Sequence, residues 1–487
     1  MSNPHHVKHK IRRRCKIVAT LGPATDDESV LADIIQAGVD VVRVNFSHGS
    51  IEEQIGRARQ TRETAQRMGR HVAVLADLQG PKIRIEGFVA HRVELTEGAD
   101  FVLDTRLGAR AGTSERVGVT YKTLPQDVKP GNLLMLDDGN LCLRVVVVDD
   151  HEITTQVVTG GMLSDSKGIN LQGGGLSAPA LTAKDLADIK TAAAMGADYL
   201  AVSFPRTAAD IQQARELFRS AGGKGGIVAK VERSEAITNI EEIIHASEAV
   251  MIARGDLGVE IGDAELPGVQ KTIINRCRSL NRIVITATQM MQSMVENPQP
   301  TRAEVMDVAN AVIDGTDAVM LSAETAVGKY PKKVIESMAR ICVGAEKQRR
   351  TLVSNHRMSS RFDTIEEMIA MASMYTANHM DVSAILALTE SGTTARLMSR
   401  ISSGIPIFAM TRHPEVGRRV SLYRGVYAVD FDANQVPVGQ VNRTAVAEMQ
   451  RLGAVQKDDL VLVTKGDMSG IAGGTNSLKI VRVGEVF

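Results

Sequence analysis

The chain has 487 residues, of which 57 are Lys or Arg and 57 are Asp or Glu, so its formal net charge is zero. A chain of this length exceeds what one hydrophobic core usually organises, which predicts two or three domains. The balanced charge argues against a nucleic-acid or acidic-membrane partner, because proteins that bind such surfaces carry a basic surplus.

The N-terminal segment is basic around Arg12, Arg13 and Arg14. Charge runs of this kind usually lie in solvent, so we expect an exposed segment here. No apolar stretch approaches the roughly 20 residues of a membrane span, and no apolar region suited to secretion follows the basic residues. Four cysteines without CxxC spacing are expected to be reduced core residues of a cytoplasmic protein, namely Cys15, Cys142, Cys277 and Cys342.

Short apolar or β-branched runs recur along most of the chain, and helix-like amphipathic sequence separates them. The runs are continuous rather than alternating, which is typical of parallel strands that are covered on both faces. Eight such units are the number that closes a (β/α)₈ barrel. The eight runs read KIVATL, DVVRVNF, VAVLADL, YLAVSF, GIVAKVE, AVMIAR, RIVITAT and DAVML.

Two regions of the chain depart from this alternation of apolar runs and amphipathic sequence. Residues 81–179 alternate short strands with turns, which predicts a small inserted β-barrel domain that acts as a lid over the barrel mouth. Residues 346–487 predict a helix followed by about five strands with intervening helices, a separate α/β domain. The catalytic barrel is then expected to comprise residues 1–80 and 180–345.

The predicted barrel strands end in polar residues. Because the carboxyl ends of barrel strands point into one shared mouth, these side chains should meet there. They are Asn45, Ser47, Asp77, Ser203, Lys230, Glu232, Arg254, Asp256, Thr288, Ser322 and Glu324.

Glu232 and Asp256 supply hard oxygen ligands from neighbouring strands, which suits Mg²⁺ or Mn²⁺ with positions left for substrate oxygens. Lys230, between them, is placed to neutralise a phosphoryl group or an enolate. The alternative is that these carboxylates form ordinary salt bridges with Lys230 and Arg254. Their occurrence at two adjacent strand ends favours the metal site.

Two further strand ends indicate anion binding. Gly255 allows close approach of the backbone, and N–H groups of a helix that starts there can bind a carboxylate or phosphate. Arg43 is expected inside the mouth, where a guanidinium is costly unless it binds an anion. His48 alone is more typical of a loop than of a catalyst.

The chain resembles the pyruvate kinases from about Arg14 to the C-terminus. The resemblance implies a (β/α)₈ barrel, a mobile β lid after strand three and a C-terminal regulatory domain. It also implies transfer of phosphate from phosphoenolpyruvate to ADP, the last step of glycolysis. The motifs that carry it are CKIVATLGPA, VVRVNFSHG, ADLQGPKIR, SKGINLQG, AVSFPR, AKVERSEAI, MIARGDLGVEI, TATQMMQSM, PQPTRAEVMDVANAV and DAVMLSAETAVGKYP.

Site roles follow from the resemblance motif by motif. It implies that Glu232 and Asp256 bind the divalent metal, that Lys230 stabilises the phosphoryl group in transfer and that Arg43 contacts the phosphates. The substrate carboxylate is expected on the backbone of Ala253, Arg254, Gly255 and Asp256. Thr288 is expected near the methylene carbon with Ser322 and Glu324 as a proton relay, and the nucleotide is expected at His48, Arg84 and Lys167.

One departure concerns the monovalent cation. Potassium-activated pyruvate kinases have Thr-Lys after the aspartate and Glu after the Gly-Pro, whereas this chain has Leu78, Gln79 and Lys82. The chain therefore resembles the bacterial-type branch that works without potassium. The Lys82 ammonium is expected to replace the cation beside Asn45, Ser47 and Asp77. The alternative is a surface lysine with the potassium site intact.

The resemblance places a phosphorylated effector in the C-terminal domain, after the strand in AILALTESGTTARL. The matching residues are Thr389, Ser391, Gly392, Thr393 and Thr394, over which the loop from Lys465 to Gly474 is expected to close. Departures in that loop leave the effector open between a sugar monophosphate and AMP. Without the resemblance, such a turn is more typical of a capped helix start.

Two other classes of function remain to be compared. A lyase or aldolase acting on the pyruvate enolate also suits a barrel with Mg²⁺ and lysine, but it does not need the nucleotide residues of the lid. A non-catalytic sensor would regulate a partner through the C-terminal site, and the intact Lys230, Glu232, Asp256 and Thr288 argue against it. The resemblance implies a homotetramer, because the family couples effector binding to subunit rotation.

Overall fold

The computed structural model describes residues 12–353, 361–467 and 473–485. Its first part alternates strands and helices. Strand β1 (Lys16–Thr20) is buried at all five positions because its apolar run is covered on both faces. The helices begin at side-chain caps, where Asp27 accepts the N–H of Ser29 and Ser50 accepts the N–H of Glu53. The elements are β1 (Lys16–Thr20), α1 (Glu28–Ala37), β2 (Val41–Asn45), α2 (Ile51–Arg67) and β3 (Ala73–Asp77).

An all-β insertion follows β3. Its elements are β4 (Arg92–Leu95), β5 (Asp100–Asp104), β6 (Arg116–Gly118), α3 (Leu124–Asp127), β7 (Leu133–Leu136), β8 (Leu141–Val148), β9 (Glu152–Thr159), β10 (Gly161–Ser164) and β11 (Ile169–Leu171). Six strands form one sheet in the order β11-β7-β8-β9-β5-β6, and β4 pairs with β10. The predicted β lid is confirmed, as a curled half-barrel rather than a closed barrel.

The edges of this half-barrel are bridged by the segment that leads into it. The N–H of Ile85 donates to the carbonyl of Lys167 beside β11, at 2.9 Å. The N–H of Thr120, beyond β6, donates to the carbonyl of Arg84, also at 2.9 Å. The chain that enters the lid is thereby part of the lid sheet.

The chain then returns to complete the barrel. The added elements are α4 (Ala183–Ala194), β12 (Tyr199–Val202), α5 (Ala208–Ser220), β13 (Gly226–Val231), α6 (Ser234–Thr238), α7 (Ile240–Ala246), β14 (Ala249–Ala253), α8 (Arg254–Ile261), α9 (Leu266–Ser279), β15 (Ile283–Ala287), α10 (Arg302–Asp314), β16 (Ala318–Leu321), α11 (Ala323–Ala326) and α12 (Pro331–Ala345). The closed sheet has the order β1-β16-β15-β14-β13-β12-β3-β2, and all of its neighbouring strands are parallel, so the predicted (β/α)₈ barrel is confirmed.

The last domain is the expected α/β unit. Its elements are α13 (Arg349–Leu352), α14 (Ile365–His379), β17 (Ala384–Leu388), α15 (Thr393–Ser399), β18 (Ile407–Thr411), α16 (Pro414–Val420), β19 (Val426–Asp430), α17 (Val441–Arg451), β20 (Leu460–Gly466) and β21 (Thr475–Arg482). The sheet order is β19-β18-β17-β20-β21, and only the β20–β21 pair is antiparallel. Among the described residues, every helix is too short or too polar to cross a bilayer.

The barrel interior is an apolar core that decides where charge can lie. Val18, Leu75, Tyr199 and Met251 are buried in it, and Leu422 from the segment after α16 packs against the same cluster. Because a charge in this core would lose its hydration, the ionised residues of the strands collect at the strand ends. The C-terminal ends therefore form the polar mouth.

The prediction for the basic N-terminal segment was wrong for Arg14, which is only 8% exposed. Its guanidinium donates to the carbonyl oxygens of Thr351, Ser403 and Glu346, at 2.9, 2.5 and 2.7 Å. These acceptors belong to distant parts of the chain, so the local charge run could not reveal them. The cysteines lie in the core as expected, since all four are buried and unpaired.

Candidate active site

The ammonium of Lys230 lies at the centre of the barrel mouth, at the end of β13. Its Nζ is 2.6 Å from Ser203 Oγ, 3.0 Å from Glu232 Oε1 and 3.3 Å from Asp77 Oδ1. The Ser203 hydroxyl donates to the carbonyl oxygen of Leu78 at 2.7 Å, so its own oxygen accepts from the lysine. Lys230 is therefore held in one position by three neighbours from adjacent strand ends.

Asp77, at the end of β3, joins this lysine to Arg43 on β2. Arg43 Nε donates to Asp77 Oδ2 at 2.6 Å, and its Nη1 donates to Thr20 Oγ1 at 3.1 Å. Asp77 is completely buried. Such a carboxylate is stable in its charged form only between cations, which Arg43 and Lys230 supply.

The charge states follow from these contacts. Burial lowers the pKa of Lys230, but the carboxylates of Asp77 and Glu232 outweigh burial and leave that pKa above its usual value. Burial raises the pKa of Asp77, but Lys230 and Arg43 outweigh it and leave that pKa below its usual value. The site therefore presents a permanently charged ammonium at neutral pH.

Glu232 and Asp256 are the two carboxylates suited to a divalent metal. The N–H of Phe204 donates to Glu232 Oε2 at 2.8 Å, which fixes the orientation of that carboxylate. Burial raises the pKa of Glu232, and the negative charge of Asp256 raises it further. No group of three or more His, Cys, Asp or Glu side chains suited to a metal occurs in the described part of the chain. Two oxygen donors that repel each other fit a cation such as Mg²⁺, which keeps positions for water and substrate.

The loop after β14 turns directly into α8. Arg254 makes a two-pronged contact with Asp307, at 2.7 and 2.8 Å, and its Nη2 donates to the carbonyl of Thr288 at 2.8 Å. The N–H of Gly255 donates to Thr288 Oγ1 at 2.8 Å. The predicted substrate turn from Ala253 to Asp256 and the predicted methylene residue are thus in direct contact.

Thr288 itself has a φ of 68°, in the left-handed region that a β-branched residue rarely adopts. Its hydroxyl donates to the carbonyl of Ala287 at 2.6 Å and accepts from Gly255. Such strain is retained where the surrounding contacts fix a side chain for use, and it clusters at functional sites.

Ser322 and Glu324 lie at the end of β16. Glu324 is completely buried, and its two oxygens accept the N–H groups of Ser322 at 2.6 Å and of Met291 at 3.1 Å. The carboxylate thus ties two active-site loops together. Within the described residues, no hydrogen bond joins Ser322 or Glu324 to Thr288.

The expected nucleotide residues lie on both sides of the opening between barrel and lid. Burial lowers the pKa of His48, and the positive charges of Arg84 and Arg43 lower it further. His48 therefore lies within the electrostatic influence of both arginines. Arg84 also donates to the carbonyl of Ser166 in the lid, at 2.8 Å. Lys167 is turned toward Asp137 within the lid, at 2.6 Å, and the structure does not bring it to His48.

Lys82 has a different partner from the one expected. Its Nζ lies 3.1 Å from Asp256 Oδ1, while Asp77 is occupied by Arg43 and Lys230, and Asn45 Oδ1 accepts the N–H of Ser47 at 3.1 Å. The expected grouping of Lys82 with Asn45, Ser47 and Asp77 is therefore absent from the contacts of the described residues. The physical reason is that Arg43 and Lys230 already neutralise Asp77, whereas Lys82 is the cation in contact with Asp256 among the described residues.

The predicted effector residues form one turn between β17 and α15. Thr389 Oγ1 accepts the N–H of Gly392 at 2.9 Å, Ser391 Oγ lies 2.9 Å from Thr393 Oγ1, and Thr394 Oγ1 donates to Glu366 at 2.7 Å. A cleft opens beside the turn, lined among others by Thr389, Ser391, Thr394, Arg412, Lys465 and Thr475. Residues 468–472 of the expected closing loop lie outside the described residues.

Two residues that support the site were not predicted from the sequence. Asp307 holds the guanidinium of Arg254, and Thr20 accepts from Arg43. Asp307 lies in the middle of α10, where a helix-surface carboxylate looks ordinary. Thr20 ends β1, so the rule that polar strand ends face the mouth could have found it.

Comparison with known proteins agrees with this arrangement. The family model of the pyruvate kinase barrel domain matches residues 12–335, and that of the pyruvate kinase alpha/beta domain matches residues 367–481. Pyruvate kinase II of Salmonella typhimurium is 56% identical over 475 residues, covering 97% of this chain and 99% of that protein.

Two further relatives cover most of both chains. Pyruvate kinase of Haemophilus influenzae is 55% identical over 458 residues, which are 93% of this chain and 96% of the relative. Pyruvate kinase of Mycobacterium tuberculosis is 40% identical over 473 residues, which are 97% and 99%. The chain therefore belongs to the pyruvate kinase family and is a phosphotransferase.

Proposed function

We propose that the barrel mouth transfers the phosphoryl group of phosphoenolpyruvate to ADP at Lys230, Glu232 and Asp256. The observation that carries this proposal is the buried, charged ammonium of Lys230, which lies in contact with one of two carboxylates suited to a divalent cation. Phosphoryl transfer needs little covalent help from the protein and depends on positioning and on neutralised charge.

In the proposed step, an oxygen of the ADP β-phosphate forms a bond to the phosphorus of phosphoenolpyruvate. The bond from that phosphorus to the enol oxygen breaks, and its electron pair stays with the enolate. The enolate takes a proton at its methylene carbon and becomes pyruvate. Lys230 faces the negative charge of the group in transfer, while Arg43, aligned by Asp77, faces the phosphate oxygens.

Glu232 and Asp256 would hold Mg²⁺ or Mn²⁺. Such a cation, when bound, neutralises charge on the substrate oxygens during transfer. The backbone of Ala253, Arg254, Gly255 and Asp256 would bind the substrate carboxylate, because the first N–H groups of α8 have no partner within the helix. Asp307 supports this role by keeping the side chain of Arg254 in place.

The proton for the enolate would arrive at Thr288. Its constrained hydroxyl lies against Gly255, and therefore against the proposed carboxylate site. Ser322 and Glu324 would act behind it as a relay. Since Glu324 accepts two backbone N–H groups, its part in this relay is to position the loops.

ADP would bind where His48 and Arg84 approach each other. The positive charge of Arg84 lowers the pKa of His48. The negative charge of a nucleoside diphosphate bound there would neutralise the charge of Arg84. Lys167 belongs to the proposed set through lid movement, which would have to release it from Asp137.

We propose that the activity of this chain does not require potassium. The ammonium of Lys82 lies 3.1 Å from Asp256, so we expect pyruvate formation to be unchanged by potassium chloride added to a potassium-free assay. Tetramethylammonium chloride should keep the ionic strength constant throughout, and turnover should be followed with phosphoenolpyruvate, ADP and Mg²⁺. Turnover that appears only with potassium would refute the proposed role of Lys82.

A variant of the same residue sharpens this test. Lys82→Gln removes the ammonium and leaves a side chain of similar reach. We expect turnover in tetramethylammonium to fall at least about tenfold, the scale of one lost charge contact near a phosphate. Equal turnover of this variant and the unchanged chain would also contradict the proposal.

A phosphorylated effector is proposed for the cleft beside Thr389, Ser391, Gly392, Thr393 and Thr394. Hydroxyl groups from the turn and the side chain of Lys465 line it, which suits a phosphate, and Arg412 lines it as the partner of Glu390 at 3.3 Å. Both a sugar monophosphate and AMP carry such a group.

Calorimetric titration with a hexose monophosphate and with AMP tests this site. We expect Ser391→Ala to weaken the binding of whichever ligand is the effector at least about fivefold, the cost of one hydrogen bond to a charged group. Thr444→Ala on α17 is the matched control, because its hydroxyl only donates to the carbonyl of Gln440. Undiminished binding to the Ser391 variant would place the effector elsewhere.

A homotetramer is proposed from the exposed apolar side chains of two helices. Ile365, Met368 and Tyr375 on α14 are 68%, 54% and 47% exposed, and Met306 on α10 is 61% exposed. Exposed apolar side chains that cluster on a helix commonly mark interfaces. Sedimentation at micromolar concentration should show four chains together, and a monomer would contradict the proposal.

A cytoplasmic location is also proposed, in accord with the unpaired cysteines.

A further inference from the structure

Residues 172–182 lead from the lid back to the barrel and are here called the return segment, which contains three successive glycines with positive φ. The angles are 87° at Gly173, 79° at Gly174 and 105° at Gly175. Residues with a side chain rarely adopt this conformation, so the turn requires glycine. The N–H of Gly173 donates to the carbonyl of Glu260 on α8 at 2.9 Å. The return segment therefore leaves the lid in contact with a barrel helix.

Two side chains of α6 also hold this turn. Glu235 Oε1 accepts the N–H of Gly175 at 2.6 Å, and the hydroxyl of Ser234 donates to the carbonyl of Gly173 at 3.0 Å. A Cβ atom added at Gly174 would lie 2.0 Å from Ser234 Oγ and 2.9 Å from Glu235 Oε2. Because glycine has no Cβ atom, the backbone of the return segment can lie directly against α6.

Helices α6 and α8 follow the strands that carry the proposed metal ligands. Helix α6 begins two residues after Glu232, and α8 begins two residues before Asp256. The backbone N–H of Ser234 donates to Glu260 Oε2 at 2.9 Å, which joins the two helices. The return segment is therefore bonded to both helices beside the proposed metal ligands.

Arg233 makes a further contact with the return segment. Its Nη1 donates to the carbonyl of Leu176 at 3.1 Å, and its guanidinium lies 5.4 Å from the centre of the Phe204 ring. Because the N–H of Phe204 orients Glu232, a change at Arg233 would also disturb the metal ligand. Among the described residues, no side-chain hydrogen bond joins Glu232 to Glu235 or to Ser234, so these two residues can be changed separately from the metal site.

The place of the lid decides where two of the proposed nucleotide residues lie. Arg84 bridges to Gly168 in the lid sheet and Lys167 precedes β11, whereas His48 follows β2 of the barrel. Groups from two domains can face one nucleotide only if the base of the lid is held at the barrel mouth. The contacts of the return segment provide such a hold.

We propose that Glu235 and Ser234 are positioning residues, which hold the return segment on the barrel and thereby place the lid for ADP. This inference rests on the ADP site proposed above between barrel and lid. The two residues act through the lid and not on the reacting atoms. Their loss should weaken the use of ADP and leave the metal site intact.

Steady-state kinetics of Glu235 variants test the proposal. We expect Glu235→Ala to raise the KM for ADP at least about fivefold, the scale of one hydrogen bond to a charged group, with Mn²⁺ affinity unchanged. Glu235→Gln keeps an oxygen that can accept the N–H of Gly175, so it should restore the KM for ADP. Glu216→Ala removes an exposed carboxylate of α5 and is the matched control.

Three results of this experiment would overturn the proposal. The first is an equal KM for ADP in Glu235→Ala and Glu216→Ala. The second is a Glu235→Gln protein as impaired as Glu235→Ala. The third is weaker Mn²⁺ binding by Glu235→Ala, which would mean that Glu235 supports the metal site instead of the lid.

Two glycine variants test the same contact from the return segment. Gly174→Ala places a Cβ atom against Ser234, whereas Gly173→Ala adds the same atom at a similar φ with no heavy atom within 4 Å. Both changes strain the backbone in the same way, so their difference reports the contact with α6. We expect a KM for ADP at least about threefold higher for Gly174→Ala than for Gly173→Ala, the scale of one neutral hydrogen bond. Equal values would overturn the proposal.

Hydrogen exchange at the Gly173 amide, measured without substrates, separates this inference from the proposed function. That N–H bonds to Glu260 and not to Glu235. We expect it to exchange at least about tenfold faster in Glu235→Ala than in Glu216→Ala, because the whole turn opens when its hold is lost. Equal exchange would overturn this inference even if the unchanged chain uses ADP. Failure of the unchanged chain to use ADP would overturn the proposed function, and faster exchange would still support the hold on the lid.

Discussion

Replacing Lys230 by methionine is expected to lower kcat for pyruvate formation at least about 10³-fold, the scale on which a charged group that faces a phosphoryl transition state contributes. Methionine has a similar reach but neither charge nor donor. The ammonium lies 3.0 Å from Glu232 and 3.3 Å from Asp77, so these contacts fix its position before substrate binds. No free energy is then needed to reorient the ammonium during the transfer step.

The same change leaves two buried carboxylates without their shared cation, which costs about 3–5 kcal/mol of stability. Thermal unfolding and Mn²⁺ binding should therefore be measured beside activity, so that lost folding is separated from lost catalysis. Lys190→Met is the matched control, because Lys190 lies exposed on α4. A folded Lys230→Met protein that retains activity would show that another group neutralises the phosphoryl charge.

Replacing Glu232 by glutamine is expected to weaken Mn²⁺ binding at least about tenfold and to lower turnover in parallel. The amide keeps an oxygen that can still accept the N–H of Phe204, so the loop after β12 should stay in place. What is lost is one of the two negative charges that favour a cation between them. Free Mn²⁺ measured by electron paramagnetic resonance gives the affinity without reference to activity.

Glu216→Gln on the outer surface of α5 is the control for this change. It alters the net charge equally and lies exposed, so its Mn²⁺ affinity should match that of the unchanged chain. If Glu232→Gln bound Mn²⁺ as tightly as this control, the carboxylate would serve only as a partner of Lys230. The ordinary salt-bridge alternative would then be correct.

The barrel and its mouth were predictable because two physical constraints act directly on sequence. A parallel strand buried on both faces must be apolar along its whole length, so runs such as Ala249–Ala253 are visible without a structure. The ends of the same strands open into solvent and substrate, so Lys230, Glu232 and Asp256 stand out against the apolar runs that precede them. Local pattern and tertiary position agree at these residues.

The contacts that sequence could not predict join residues from distant parts of the chain. Lys82 pairs with Asp256 because Asp77 already has two cations, which depends on the packing of four strands. Arg14 is buried because its acceptors come from Thr351, Ser403 and Glu346, more than 300 positions away. A basic run carries no information on such acceptors.

The most direct test of the central claim is pyruvate formation from phosphoenolpyruvate and Mg²⁺, measured with and without ADP. The account predicts that pyruvate appears only with ADP and that one ATP forms for each pyruvate, because the phosphoryl group must pass from the enol oxygen to the nucleotide. Consumption of phosphoenolpyruvate at the same rate without ADP would contradict it, and would assign this barrel to enolate chemistry of the lyase or aldolase class.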